Sequence, residues 1–172
     1  MAFPESFSTA RLAFVRLMRG DLAELHRMHS DPTVMASMGG VRSEQQTRVY
    51  LEKNLKHWDL YGFGLWIVRP KDDEEIIGRA LVRHLFLDGG DEIEIGYALY
   101  APYWGRGLAT EIASACVAVG RNQLGWPSVV AVTRPDNLAS QRVLKKVGME
   151  YERDFLHEGH PAVLYRTNTV HP

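Results

Sequence analysis

The stretch Tyr103-Trp104-Gly105-Arg106-Gly107-Leu108-Ala109-Thr110 decides how this chain is read. It follows an alternating apolar run, Ile93, Ile95, Tyr97 and Leu99, which reads as a strand. It opens a second run, Leu108, Ile112, Ala115, Cys116 and Val119, whose spacing is helical. Where a strand passes through a glycine-bearing turn into a helix, several backbone N–H groups have no partner inside the helix. The helix dipole adds partial positive charge at the same place. Glycine allows both the turn geometry and a close backbone approach. The helix-opening amides of Gly105 through Thr110 therefore read as a pocket for a phosphorylated group.

Outward from that stretch, each flank supplies more elements. Residues 92–100 form the strand before the turn, and Asp88-Gly89-Gly90-Asp91 is a hairpin signal that joins it to a strand at 76–86. Residues 63–69 and 11–17 read as further strands. Between them, Asp21 suits the cap of a helix carrying Leu22, Leu25 and Met28, which Asp31-Pro32 ends or interrupts. Ser43 and Gln46 are spaced as a capping box before a helix carrying Val49, Leu51, Leu55 and Trp58. Downstream, the helix at 107–122 is followed by a short strand at 129–133. A helix capped by Asp136 or Asn137 comes next, then closing strands at 149–155 and 162–167. Hairpins beside helical crossovers predict an α/β (α+β) fold: a mixed, mostly antiparallel sheet flanked by about four helices.

Composition narrows the function classes. A chain of 172 residues fits a single domain, taken as 1–172, and 45% hydrophobic with 24% charged residues is a globular balance. Twenty Lys plus Arg against 21 Asp plus Glu gives no general attraction to nucleic acid or to an anionic membrane. The lone cysteine, Cys116, excludes an intrachain disulfide framework and fits a reducing, cytoplasmic setting. Its helical place reads as core. His26 with His29, and His157 with His160, lack zinc spacing, so no metal is expected. The dinucleotide fingerprint fails here because Thr110 takes its third glycine place and no strand–helix–strand unit opens the chain.

The Trp104-to-Ala109 turn, the later run Asn137-Leu138-Ala139-Ser140-Gln141-Arg142-Val143-Leu144-Lys145-Lys146-Val147-Gly148-Met149 and the order of elements resemble the GCN5-related N-acetyltransferases (GNAT). Asp31-Pro32-Thr33-Val34-Met35, Glu94-Ile95-Gly96-Tyr97 and the Asn-x-x-Ser spacing resemble the RimJ/RimL-like subgroup, the ribosomal-protein N-terminal acetyltransferases and their relatives. The resemblance spans roughly residues 9–167. Trp104 departs from the Gln or Arg that usually opens the family's turn, which removes one side-chain contact.

The resemblance implies acetyl-CoA as co-substrate and a central sheet splayed at a bulge. Backbone of Tyr97, Ala98 and Leu99 would meet the pantetheine arm, and the amides of Gly105, Arg106, Gly107, Leu108, Ala109 and Thr110 the diphosphate. Glu94 aligns with the base of some members, with Glu92 acting through water as the fallback. Ser140 matches the hydroxyl that approaches the CoA sulfur. Asn137 is a helix cap and a polar contact to the arm, and an N–H near Tyr97 would meet the developing oxyanion. Arg142, Lys145 and Lys146 either reach the 3′-phosphate or form a solvated helix face. The implied reaction is acetyl transfer to a primary amine, a protein N-terminus or a small molecule, by direct attack. At pH 7 freeing an α-amine costs roughly 1 kcal/mol and freeing a lysine amine about 4–5, so a base is useful. The alternatives are a non-catalytic acyl-CoA-binding sensor module and a nucleotide-binding domain. Monomer and homodimer, the latter through the closing strands, both fit.

Overall fold

The computed structural model describes residues 5–168. Eight strands form one sheet: β1 (Ser6–Ser8), β2 (Leu12–Arg16), β3 (Leu65–Pro70), β4 (Gly78–Leu87), β5 (Gly90–Leu99), β6 (Val130–Thr133), β7 (Met149–His157) and β8 (His160–Thr167). Their order is β1-β2-β3-β4-β5-β6-β8-β7, and among the described residues β5 with β6 is the one parallel pair. The helices are α1 (Leu22–Ser30), α2 (Pro32–Met35), α3 (Glu44–Tyr61), α4 (Leu108–Ala118) and α5 (Leu138–Lys146). This is the mixed, mostly antiparallel architecture that the element order predicts. β1 is an extra edge strand, and at three residues it is too short to carry an alternation signal.

Local chemistry sets most boundaries. Ser43 Oγ accepts from the Gln46 amide at 3.2 Å while Gln46 Oε1 accepts from the Ser43 amide at 2.8 Å, closing the capping box of α3. Asp31 accepts from the amides of Thr33 and Val34 and so starts α2 where α1 stops. Asp21 does not cap α1 as expected. Its carboxylate takes the Met18 amide at 2.7 Å instead. Asp88 and Gly89, both with positive φ, make the two-residue turn between β4 and β5.

Strand alternation gives the sheet two covered faces. Ile93 and Ile95 pack with Ile112, Cys116 and Leu144 under α4 and α5. Leu81 packs with Leu25, Leu51, Leu55 and Ile67 under α1 and α3. Glu94 and Gly96, opposite in parity to Ile93 and Ile95, lie on that second face beside Arg83 and Leu81. Val49, expected to share the α3 core stripe, is 61% exposed.

β4 and β5 pair from Gly78↔Leu99 to Leu87↔Gly90 without a register shift, so the expected bulge is not in this ladder. The splay arises on the other side of β5. There β5 meets β6 at Glu94↔Val130 alone, which leaves Ile95 to Leu99 with a ladder partner only on the β4 edge. Among the described residues, no helix is long and apolar enough to cross a membrane.

Candidate active site

The fork between β5 and β6 leads directly into the glycine turn. After β5, a short 3-10 turn at Ala101–Tyr103 redirects the chain. The Trp104 indole N–H donates to the Leu99 carbonyl at 2.8 Å and folds the loop back on the strand end. Trp104 thus has a structural use in place of the missing polar contact. Gly105 and Gly107 have φ of +72° and +74°, and a Cβ at either would find open space or ordinary contact. Conformation, not crowding, calls for glycine here. Gly107 opens α4, and no side chain among the described residues caps it, so the first-turn amides are left without a capping partner.

A clamp that local sequence did not disclose holds this loop. Glu111 of α4 accepts from Thr9 Oγ1 at 2.5 Å, the Arg11 amide at 2.8 Å and Arg11 Nε at 2.7 Å. Arg11 Nη1 donates to the Arg106 carbonyl at 2.9 Å. Burial works against the Glu111 charge, but these hydrogen bonds outweigh it and hold its pKa below the usual carboxylate value.

α5 stands across the fork. Asn137 Oδ1 accepts from the Ser140 amide at 3.2 Å, the cap expected of it. Ser140 Oγ lies 2.9 Å from the Tyr97 hydroxyl, which also donates to the Ser140 carbonyl at 3.4 Å. Tyr97 therefore brings a side chain as well as backbone to the fork, which the sequence reading missed. The signal was available: Tyr97 shares the parity of Ile93 and Ile95, so it faces α5. Burial pushes its phenol up to about 12, against a lowering by Ser140, so it keeps its proton at neutral pH.

On the opposite face Glu94, 7% exposed, takes Arg83 Nε on its Oε2 at 2.7 Å. No hydrogen bond among the described residues engages its Oε1. Burial disfavours the Arg83 charge, and Glu94 more than restores it, so the guanidinium titrates above its usual range. Glu92, the fallback base, is held by two hydrogen bonds from Arg166 at 2.9 Å each and reads as a structural partner. Arg142, Lys145 and Lys146 are exposed on α5. Burial raises the Cys116 thiol to about 12, which suits a core residue and not a nucleophile. Among the described residues no group of three His, Cys, Asp or Glu side chains is placed to hold a metal.

Comparison with known proteins gives the family. The acetyltransferase (GNAT) domain matches residues 11–150, and the chain belongs to this family of acetyl-CoA-dependent N-acetyltransferases. It is 32% identical to YkkB of Bacillus subtilis over 138 residues, 80% of each chain. It is 28% identical to the uncharacterized N-acetyltransferase YnaD of the same organism over 149 residues, 86% of this chain and 84% of that one. Its fold matches the crystal structure of an acetyltransferase from Agrobacterium tumefaciens with a TM-score of 0.85 at 24% identity, covering 98% of this chain and 96% of that one. It also matches RimL, a ribosomal L7/L12 α-N-protein acetyltransferase solved with coenzyme A. That TM-score is 0.75 at 17% identity over 94% of this chain and 97% of that one.

Proposed function

We propose that this enzyme acetylates a primary amine, a protein N-terminal α-amine or that of a small molecule, in the cytoplasm. The observation that carries the reading is the one-sided β5 segment, Ile95 to Leu99, running into the uncapped start of α4 with the Tyr97–Ser140 hydroxyl pair at its side.

The residues fit acetyl-CoA. Main-chain groups of Tyr97, Ala98 and Leu99 would hold the pantetheine arm as an added strand does, and the amides of Gly105 through Thr110 the diphosphate. Asn137 and Ser140 would face the arm from α5. Bound acetyl-CoA supplies a thioester carbonyl to which the amine nitrogen bonds as the C–S bond breaks. Glu94 Oε1, on the α1/α3 face, accepts the proton that the amine gives up, directly or through water. Ser140 Oγ donates a hydrogen bond to the departing sulfur and accepts one from the Tyr97 hydroxyl, so the pair stabilises the thiolate while both hydroxyls keep their protons.

The test is a panel of amines and peptides read by free-thiol release, repeated with Glu94→Gln and Ser140→Ala. Each substitution is expected to lower kcat tenfold or more, because acid–base groups contribute roughly 10²–10⁴. Losses under about threefold in both reject the assignment. Binding of CoA with no thiol release for any amine favours a sensor module instead.

A further inference from the structure

The face over β4 carries buried positive charge that the fold does not balance. Arg79 is 6% exposed, yet among the described residues its side chain's polar contacts are limited to the Met38 sulfur at 3.5 Å, and its Nε has no hydrogen-bond partner there. Glu94, the other buried ionic side chain on this face, has its partner in Arg83. Arg79 has none: among the described residues no carboxylate lies within ion-pair distance of it or of Arg42. Both guanidinium groups lie against one ring, Arg42 5.0 Å and Arg79 5.5 Å from the centre of Tyr50. The Tyr50 hydroxyl is itself buried without a hydrogen-bond partner among the described residues.

Arg42 is deliberately placed. Its Nη1 lies 3.2 Å from His29 Nε2, and a guanidinium only donates, so that nitrogen is an unprotonated acceptor. The other ring nitrogen, Nδ1, then donates to Thr47 Oγ1 at 3.0 Å. Neutral His29 thus positions Arg42 without neutralising it. Glu158, on the exposed β7–β8 turn, adds a favourable field at Arg42 and Arg83 from beyond ion-pair distance. Burying cations without counter-charge disfavours the fold. Two guanidiniums and a phenol converging without an acid form a receptor for a group that brings the charge with it.

Position relates this receptor to the reaction. On β4, Arg79, Leu81 and Arg83 share a face and stand opposite Ala98, Gly96 and Glu94 of β5. The Leu81–Gly96 row lies between the unpaired arginine and the ion-paired Glu94. Each such step along a strand is about 7 Å, so at the backbone the Arg79 row and the Glu94 row lie two steps, roughly 14 Å, apart. The charged ends come closer than the backbone rows, since Arg79 and Arg83 both act on the Arg42 charge, and an amine beside Glu94 can keep an attached anion between Arg42 and Arg79. Beyond Arg83 the same face opens into a cavity of about 290 Å³ lined by Lys53, Lys56, Asn54 and His157, with Glu158 as its one acid.

We propose that the acceptor is a small amine that also carries a carboxylate or phosphate, seated by its anion between Arg42 and Arg79 with the Tyr50 hydroxyl donating to it. This rests on the acetyltransferase reading above and names the substrate class of the same site. A side chain as enclosed as Arg79 meets the end of a ligand and not a polypeptide running past.

The experiment compares matched acceptors by thiol release: L-amino acids against their carboxamides, phosphoethanolamine against ethanolamine, and peptides beginning with Asp or Glu against neutral ones. The anionic member of a small-amine pair is expected to have a kcat/KM at least tenfold higher, the better pair telling carboxylate from phosphate. Arg42→Gln should shrink that ratio to under about threefold. Arg42 is half-exposed and its replacement is expected to fold. Arg79→Gln is used only if its melting temperature shows a folded protein. If uncharged twins react as well, or Arg42→Gln leaves the ratio intact, the inference fails while the acetyltransferase reading stands. If acidic peptides exceed every small amine tenfold, the small-molecule assignment is overturned. If no amine releases thiol, calorimetry of phosphoethanolamine and L-glutamate against CoA-saturated protein decides. Binding abolished by Arg42→Gln supports the site, and no binding overturns it.

Discussion

The Tyr97 and Ser140 hydroxyls lie 2.9 Å apart, and in the proposed reaction the sulfur end depends on that pair. A free thiol has a pKa near 8.5, so the leaving group needs a hydrogen bond more than a strong acid. Tyr97→Phe is therefore expected to lower kcat about tenfold with less than a threefold change in the Michaelis constant for acetyl-CoA. A rise in that constant with kcat unchanged would make Tyr97 a packing residue. His29 takes up its proton well below the range of an exposed imidazole. Burial first, then the charges of Arg42, Arg79 and His26, lower it from 6.5 to about 3. Below about pH 6.5 the unfolded chain takes up a proton there that the folded chain refuses until about pH 3. Stability present at pH 7 is thus lost as pH falls through that window, by about 2 kcal/mol at pH 5. The melting temperature should fall between pH 7 and pH 5 more steeply for the native chain than for His29→Gln. Parallel falls contradict the assignment.

At the scale of elements, the start of α4 is the part most exposed to a single change. Gly107 holds a left-handed φ of +74°, which costs an L-residue with a side chain about 1–2 kcal/mol. Gly107→Ala should lower the melting temperature and weaken CoA binding at least tenfold by calorimetry. An unchanged affinity would remove these amides from the diphosphate site. This element was legible because its signals are local: alternation to Leu99, two glycines, then helical spacing. The Ser43–Gln46 box and the Asn137 cap were legible for the same reason. The Arg11–Glu111 clamp joins residues 100 apart, which no local spacing encodes, and strand parity puts Tyr97 on the α5 face without naming Ser140, 43 residues on, as its partner. Asp21 failed as a cap because the Met18 amide competed for the same carboxylate. The splay was implied by family likeness, but its location in the β5–β6 pairing is a tertiary fact that alternation within β5 does not carry.

For the whole molecule, the sheet divides the labour between its faces. One face is apolar and seats α4 and α5, so the helix start and Ser140 are rigidly fixed against β5. The other mixes an apolar patch with Glu94, Arg83, Arg79 and Arg42 under α1 and α3, and it is where an amine can approach. The fork lets the two faces meet, and in the proposed reaction the thioester is reached there from both the proton-accepting and the sulfur-facing side. The account therefore depends on where the acyl donor lies. A crystal structure of the protein with CoA measures this directly. Expected is a pantetheine arm alongside Tyr97 to Leu99, the sulfur near Ser140 Oγ, and the diphosphate hydrogen-bonded by amides between Gly105 and Thr110. CoA bound outside the β5–β6 fork, with those amides facing solvent, contradicts it.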